Sequence, residues 1–218
     1  MTTLIIATRN AHKVAEIQAM LGGSFHCRTL REFPDAPAVI EDADTFAGNA
    51  TKKAVELARW LPSPIPNPHS SLLHAPAFVL ADDSGLEVDA LHGAPGIHSA
   101  RFAALDTGME GNSTDAENNA KLQRLLQDVP EGQRAARFRC VIALTPVSGD
   151  EIESTPTLFD GTCEGRITFT PSGAKGFGYD PLFVPEGFTQ SFAELGEDVK
   201  NRISHRARAL AKLRAHFA

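Results

Sequence analysis

Residues 78–85 read Phe78-Val79-Leu80-Ala81-Asp82-Asp83-Ser84-Gly85, an apolar run that stops abruptly at two adjacent carboxylates. The run predicts a buried strand, and two carboxylates at its mouth are costly unless a cation or strong donors receive them. In α/β proteins the ends of strands are where ligands sit. Side chains alternate along a strand, so Asp82 and Asp83 are expected to face different ways, with one of them pointing into a site. Asp, Ser and Gly are also ordinary turn residues, and a solvated turn is the competing reading of the same four positions.

Working outward, residues 3–7 form a short β-branched run, followed by the polar Thr8-Arg9-Asn10 and a helical pattern that carries Val14, Ile17, Met20 and Leu21 on one face. Gly22-Gly23 stops that helix. A second helix is expected over residues 45–61, with Phe46, Ala50, Ala54, Leu57 and Ala58 as its apolar stripe. Pro62, Pro64, Pro66 and Pro68 then forbid regular structure and mark a surface insert of about residues 62–76. After Asp82-Asp83, residues 86–91 alternate like a separate half-buried strand, and Gly93-Ala94-Pro95-Gly96 turns the chain. Another amphipathic helix is expected over 115–127 with Leu122, Leu125 and Leu126. Strands are expected over 136–144, 155–164 and 166–170, and a last helix over 205–217 with Ser204 as its N-cap. This mixture predicts a single α/β unit of two lobes.

Composition narrows the function classes. At 218 residues with 42% hydrophobic and 22% charged residues the chain is an ordinary globular protein. A net charge of -6 argues against a broad nucleic-acid surface. Cys27, Cys140 and Cys163 are odd in number and far apart, which excludes a disulfide framework and zinc-type spacing. No leader-like segment and no apolar run of about 18 residues is present, so a cytoplasmic protein without membrane partners is expected.

Three further clusters could carry chemistry. Thr8-Arg9-Asn10-Ala11-His12-Lys13 lies between a strand and a helix start, where backbone amides, the helix dipole and Lys13 suit an anion; a polar capping loop is the plainer alternative. Gly173-Ala174-Lys175-Gly176-Phe177-Gly178-Tyr179-Asp180-Pro181 sets three glycines around two aromatics, a flexible backbone that suits stacking on a planar base, with Asp180 accepting from ring N–H groups; a Gly-rich hairpin with packed aromatics would look the same. Lys200-Asn201-Arg202-Ile203-Ser204-His205-Arg206 puts donors at an expected helix N-terminus, where they oppose the dipole and where a bound anion or carbonyl-rich ligand would account for them; a solvated basic patch is the plainer alternative. Glu41-Asp42 adds an acidic pair that could share a cation with Asp83 or simply start a helix.

Together these motifs, in order and spacing, resemble the inosine triphosphatase family of XTP/dITP diphosphatases. The resemblance rests on residues 7–16, on Thr45-Phe46 with Asn49-Ala50 and Lys53-Ala54, on residues 81–91 and 93–101, on residues 176–181, and on Lys200-Asn201 with Ser204-His205-Arg206. It implies a two-lobed mixed sheet with flanking helices and a nucleotide cleft, a homodimer, and a requirement for Mg2+. It also implies hydrolysis of ITP, dITP and XTP to the monophosphate and pyrophosphate. Carried over by position, Thr8, Arg9, Asn10, Ala11, His12, Lys13 and Lys53 would hold the triphosphate. Asp83 would be general base and metal ligand, Glu41 would help hold the metal, and Ser84 would touch substrate. Phe177, Gly178, Tyr179, Asp180, Lys200, His205 and Arg206 would form the base and sugar pocket, Arg206 pairing with the 6-oxo group. Two departures stand out: Gly48 replaces the Glu of a common Glu-Asn-Ala motif, and the Pro-rich insert is longer than usual. A haloacid-dehalogenase-type phosphatase would want Asp-x-Asp rather than adjacent aspartates and would release orthophosphate. A non-catalytic nucleotide-binding module would bind without magnesium-dependent turnover.

Overall fold

A computed structural model describes residues 1–62, 76–108, 110–147 and 155–218. The core of the Pro-rich insert, residues 63–75, lies outside the described residues.

The β-branched run at the start forms β1 (Thr3–Ile6), every residue of it buried. The helix that follows is α1 (Ala11–Leu21), capped by Asn10, whose side chain accepts from the amides of His12 and Lys13. Ile17 and Leu21 are buried on its inner face, and Gly22 ends it with a positive φ. A short strand missed in the sequence, β2 (His26–Thr29), runs parallel to β1. Helix α2 (Phe46–Trp60) is capped by Thr45 and buries the expected stripe of Phe46, Ala50, Ala54, Leu57 and Ala58.

Strand β3 (Ala77–Val88) departs most from expectation. It does not end at Asp82: one strand of 12 residues runs through Asp82-Asp83-Ser84-Gly85 and on to Val88. The turn reading of those four residues is therefore wrong, and residues 86–91 are not a second strand, since a single 3-10 turn covers Asp89–Leu91. The physical reason is that both carboxylates are received by lysines, so the backbone has no need to leave the sheet to solvate them.

Helix α3 (Asp115–Leu125) opens with a reciprocal capping box between Thr114 and Glu117. It buries Leu122, whereas Leu125 is exposed. Strand β4 (Ala135–Pro146) follows, then β5 (Thr157–Ile167), a continuous strand where two had been expected. Antiparallel pairing of Gly165 with Pro185, Arg166 with Val184 and Ile167 with Phe183 carries it through, the partner being β6 (Phe183–Pro185). Short helices α4 (Phe192–Leu195) and α5 (Glu197–Ile203) precede α6 (His205–His216), and Ser204 Oγ accepts from the amide of Ala207 as the expected cap.

The six strands form one mixed sheet in the order β2-β1-β3-β4-β5-β6. The chain divides into two compact units: residues 1–83, 141–160 and 210–218, and residues 84–140 and 161–209. The first is built on Leu4, Ile5, Ile6, Ile17, Ala54, Val79 and Leu80, all fully buried. The second centres on Leu86, Leu122, Phe138, Leu182, Phe183 and Phe192. Asp83 is the last residue of the first unit's leading segment and Ser84 opens the second.

Candidate functional site

In the first unit, parallel pairing sets the geometry. β1 lies in register with β3, Ile6 opposite Leu80, and the amide of Ala7 donates to Leu80 O at 2.8 Å. The loop leaving β1 at Thr8 therefore emerges beside the carboxylates at Asp82 and Asp83, at the C-terminal end of a parallel strand pair. Lys13, in the first turn of α1, places Nζ 2.5 Å from Asp82 Oδ1. Lys53, midway along α2, places Nζ 3.0 Å from Asp83 Oδ1, 2.9 Å from the Asp82 carbonyl and 3.2 Å from Glu41 Oε1. The two adjacent aspartates are thus held by lysines from different helices, as their alternation requires.

Asp82 is 1% and Asp83 5% exposed. Burial pushes the Asp83 carboxyl above its ordinary range; Lys53 and Lys13 oppose the rise, Glu41 adds to it, and burial wins. Burial pulls the Lys53 ammonium down, but Asp83, Glu41 and Asp82 together outweigh it and hold Lys53 above its ordinary value. The two directions agree because one ammonium serves three acceptors. Three negative groups act together on Lys53, whereas at Asp83 burial and the Glu41 charge outweigh the two lysines. Asp83 Oδ2 is buried with no hydrogen-bond partner. A buried carboxylate oxygen without a partner is expensive to maintain and marks a place for a ligand.

The loop of residues 8–13 has already committed four of its amides, that of Thr8 to Ile6 O at 3.0 Å and three to side chains. Asn10 Oδ1 accepts from His12 N at 2.9 Å and from Lys13 N at 3.2 Å, while Thr8 Oγ1 accepts from Asn10 N. Arg9 donates to Ala36 O at 2.7 Å. A groove of about 880 Å³ is lined by Thr8, Arg9 and Ala11 together with Gln18, Thr29 and Arg31.

Gly48 has a steric explanation. A Cβ added there would lie 2.7 Å from the Cβ of Ala43, and the Asn49 carbonyl oxygen, Oδ1, accepts from Ala43 N at 3.0 Å. The segment that carries Glu41 is packed so closely against the first turn of α2 that a side chain at position 48 would force it to shift. Glu41, from that segment, lies within ion-pair distance of Lys53 alongside Asp83.

In the second unit, Asp180 Oδ2 accepts from Lys200 Nζ at 2.6 Å and from Phe177 N at 2.9 Å, so this oxygen holds protein groups rather than waiting for ring N–H donors. Lys200 Nζ also lies 4.4 Å from the centre of the Phe177 ring, over its face. Tyr179 is buried, its hydroxyl donating to Ser99 O at 2.8 Å, and burial with the Asp115 charge raises its pKa. His205 stacks on Phe138 with ring centres 4.9 Å apart. Arg206 is 1% exposed and donates to Ser84 Oγ at 2.8 Å. Lys200 and Arg202 do not open a helix, as the sequence pattern suggested. They sit in the last turn of α5, where the dipole favours them. Only His205 and Arg206, in the first turn of α6, face the unfavourable end.

Sequence reasoning did not find the Lys13–Asp82 pair, which spans 69 positions, nor the roles of Asn49 and Ser99. Ser99 Oγ donates to Gly96 O and accepts from Leu86 N while its carbonyl holds Tyr179. Its place in residues 93–101, quoted for the resemblance, was the only signal available. Among the described residues no group of three or more His, Cys, Asp or Glu is placed to hold a metal ion, and no helix is long and apolar enough to cross a membrane.

The geometry defines a mixed α/β protein with buried, lysine-held carboxylates at a strand pair's C-terminal end. Residues 4–216 match the Ham1 family, and the chain belongs to that family. A dITP/XTP pyrophosphatase of Pseudomonas syringae pv. tomato is 46% identical over 98% of this chain and 96% of its own length. One from Opitutus terrae is 43% identical over 96% of each chain. The structure of a HAM1 protein from Coxiella burnetii superimposes with a TM-score of 0.78 at 35% identity, covering 100% of this chain and 98% of that one. The resemblance read from the motifs, and the mixed sheet with flanking helices that it implied, are borne out.

Proposed function

We propose that this chain hydrolyses non-standard purine nucleoside triphosphates, ITP, dITP and XTP, to the monophosphate and pyrophosphate. The dITP/XTP pyrophosphatase names of relatives matched end to end support the substrate class. The observation that carries the chemistry is Asp83: buried, raised in pKa, with one oxygen on Lys53 and the other lacking a protein partner.

Asp83 is the general base. Water attacks the α-phosphorus, its proton passes to Asp83, the bond to the β-phosphate breaks, and pyrophosphate leaves. A carboxylate whose pKa is raised by burial is a stronger base than a solvated one and suits proton transfer nearer neutrality. Lys13 and Lys53, with the Thr8-Arg9-Asn10-Ala11-His12 loop, receive the triphosphate charge, phosphate oxygens competing with the Asp82 carboxylate for Lys13. Phe177, with Gly178, Tyr179, Asp180, Lys200, His205 and Arg206, holds the base and sugar, and Ser84, hydrogen-bonded to Arg206, touches the substrate.

A magnesium ion fits these residues. The Asp83 oxygen without a partner and the Glu41 carboxylate are hard donors near one ammonium, and Mg2+ is commonly held by one or two carboxylates plus substrate phosphates. When bound, the ion supplies charge neutralisation on the triphosphate and acidifies coordinated water. We further assign the chain to the cytoplasm, in keeping with three free cysteines, and to a homodimer.

The test is a product assay on ITP, dITP, XTP, GTP and ATP, with and without Mg2+. Magnesium-dependent pyrophosphate release, fastest with the three non-standard nucleotides, is expected. Orthophosphate release would point to a phosphatase, and binding without turnover to a nucleotide-binding module; either overturns the proposal.

A further inference from the structure

Helix α3 grips the backbone of the Gly176-Phe177-Gly178-Tyr179-Asp180 segment through two residues that the family motifs do not include. Asp115 Oδ2 accepts from Gly178 N at 2.6 Å, and Asn119 Nδ2 donates to Gly178 O at 2.9 Å. The two residues are four apart and so lie on one helix face, where neighbouring side chains can bracket a single peptide unit. Both polar groups of Gly178 are thereby fixed by side chains rather than by a sheet partner. Gly178 has φ +61, a conformation that L side chains rarely adopt, so its backbone needs external support to stay in one state. The orientation of the Asn119 amide follows from the contact. Turned over, its oxygen would face the Gly178 carbonyl. As it stands, Asn119 Oδ1 is buried with no hydrogen-bond partner, so the side chain keeps the Gly178 contact at the expense of its own acceptor.

We infer that Asp115 and Asn119 are positioning residues for the purine pocket: they fix the Gly178 peptide and thereby the Phe177 ring before it and Asp180 after it. This rests on the pocket role given to Phe177 and Asp180 above. The residue of α3 just before Asn119, Asn118, strengthens the case that the helix is a jig. Its Oδ1 accepts from Ala103 N at 2.8 Å and its Nδ2 donates to Ala100 O, pinning the segment whose Ser99 carbonyl holds the Tyr179 hydroxyl. One turn of α3 thus holds the loop directly through Asn119 and indirectly through Asn118. A carboxylate or amide at position 115 can accept from Gly178 N, but a methyl cannot, and a carboxylate at 119 would repel the Gly178 carbonyl.

The experiment compares Asp115→Ala, Asp115→Asn, Asn119→Ala and Asn119→Asp with the unaltered protein in two readouts. The first is amide hydrogen exchange of the peptide covering residues 173–182, which needs no substrate. Faster exchange is expected in Asp115→Ala, Asn119→Ala and Asn119→Asp, with near-native protection restored in Asp115→Asn. The second is steady-state kinetics on ITP and ATP. KM for ITP should rise about tenfold or more with kcat within a few-fold, the ITP-to-ATP ratio of kcat/KM should fall, and Asp115→Asn should recover most of both. Unchanged exchange in all four variants overturns the inference whatever the substrate proves to be. Faster exchange with the ITP-to-ATP ratio held within twofold also overturns it, since the contacts would then serve stability alone. Failure of the unaltered protein to turn over ITP would instead sink the proposed function, and the exchange readout would still decide whether α3 holds the loop.

Discussion

The two oxygens of Asp83 stand in different circumstances, and that asymmetry shapes what the residue can do. One is held by Lys53 at 3.0 Å, while the other is buried without a partner. Replacing the carboxylate by an amide keeps shape and a lysine acceptor but removes the base. Asp83→Asn should lower kcat for ITP by about a hundredfold or more, the usual span for a general base or metal ligand. Because burial raises the Asp83 pKa, kcat/KM in the unaltered protein should climb with pH through a limb lying above the ordinary carboxylate range, as protonated Asp83 gives way to the basic form. Kinetics across a pH series check both points. Turnover within a few-fold of the unaltered protein in the variant, or an acid limb at the ordinary carboxylate position, would remove Asp83 from the role. Arg206 shows how a residue read as a free donor can already be engaged. Its guanidinium lies within the protein and already gives one N–H to Ser84.

Helices were more legible than strands in this chain, and the reason is local. The stripe of α2 and the caps at Thr45 and Ser204 depend on neighbours within a turn. The continuity of β3 through Asp82-Asp83 depends on lysines tens of positions away, and that of β5 on its pairing with β6, neither of which periodicity can reveal. The same blindness hid Arg134. This residue is 1% exposed, and all four of its hydrogen bonds go to carbonyls: Nε to Ile167, Nη1 to Leu126 and Val129, Nη2 to Thr168. The guanidinium also lies 4.2 Å from the centre of the Phe169 ring. It ties the end of α3 to the end of β5, elements whose own backbone bonds are running out there. Arg134→Met fills similar space but leaves those carbonyls without donors, and should lower unfolding stability by about 2–4 kcal/mol. Equilibrium denaturation reads the change. A loss below about 1 kcal/mol would mean that water replaces the guanidinium without difficulty.

At the scale of the whole molecule, the motif order identified the family and the mixed sheet, while the partners of each site residue were hidden because they are tertiary. The raised pKa of Asp83 also links the site to overall stability, with a definite sign. A group whose folded pKa lies above its unfolded value binds a proton more tightly in the folded state. Its stabilising contribution is present below the unfolded pKa and is lost as pH rises through the folded one. At neutral pH, ionised Asp83 therefore costs stability, and Asp83→Asn removes that cost. Lys53, also raised, is lost only as pH climbs through its own higher value, so it leaves the acid and neutral range undisturbed. The difference in melting temperature, variant minus unaltered protein, should thus widen as pH rises from the ordinary carboxylate range through the raised Asp83 value, and level off above it. A variant that gains stability where it loses turnover would mark Asp83 as strain held for chemistry. Thermal melts of both proteins across that window decide it. A difference that stays flat would show that Lys53 neutralises Asp83 fully, and one that narrows with rising pH would show that the ion pair, not burial, dominates the site.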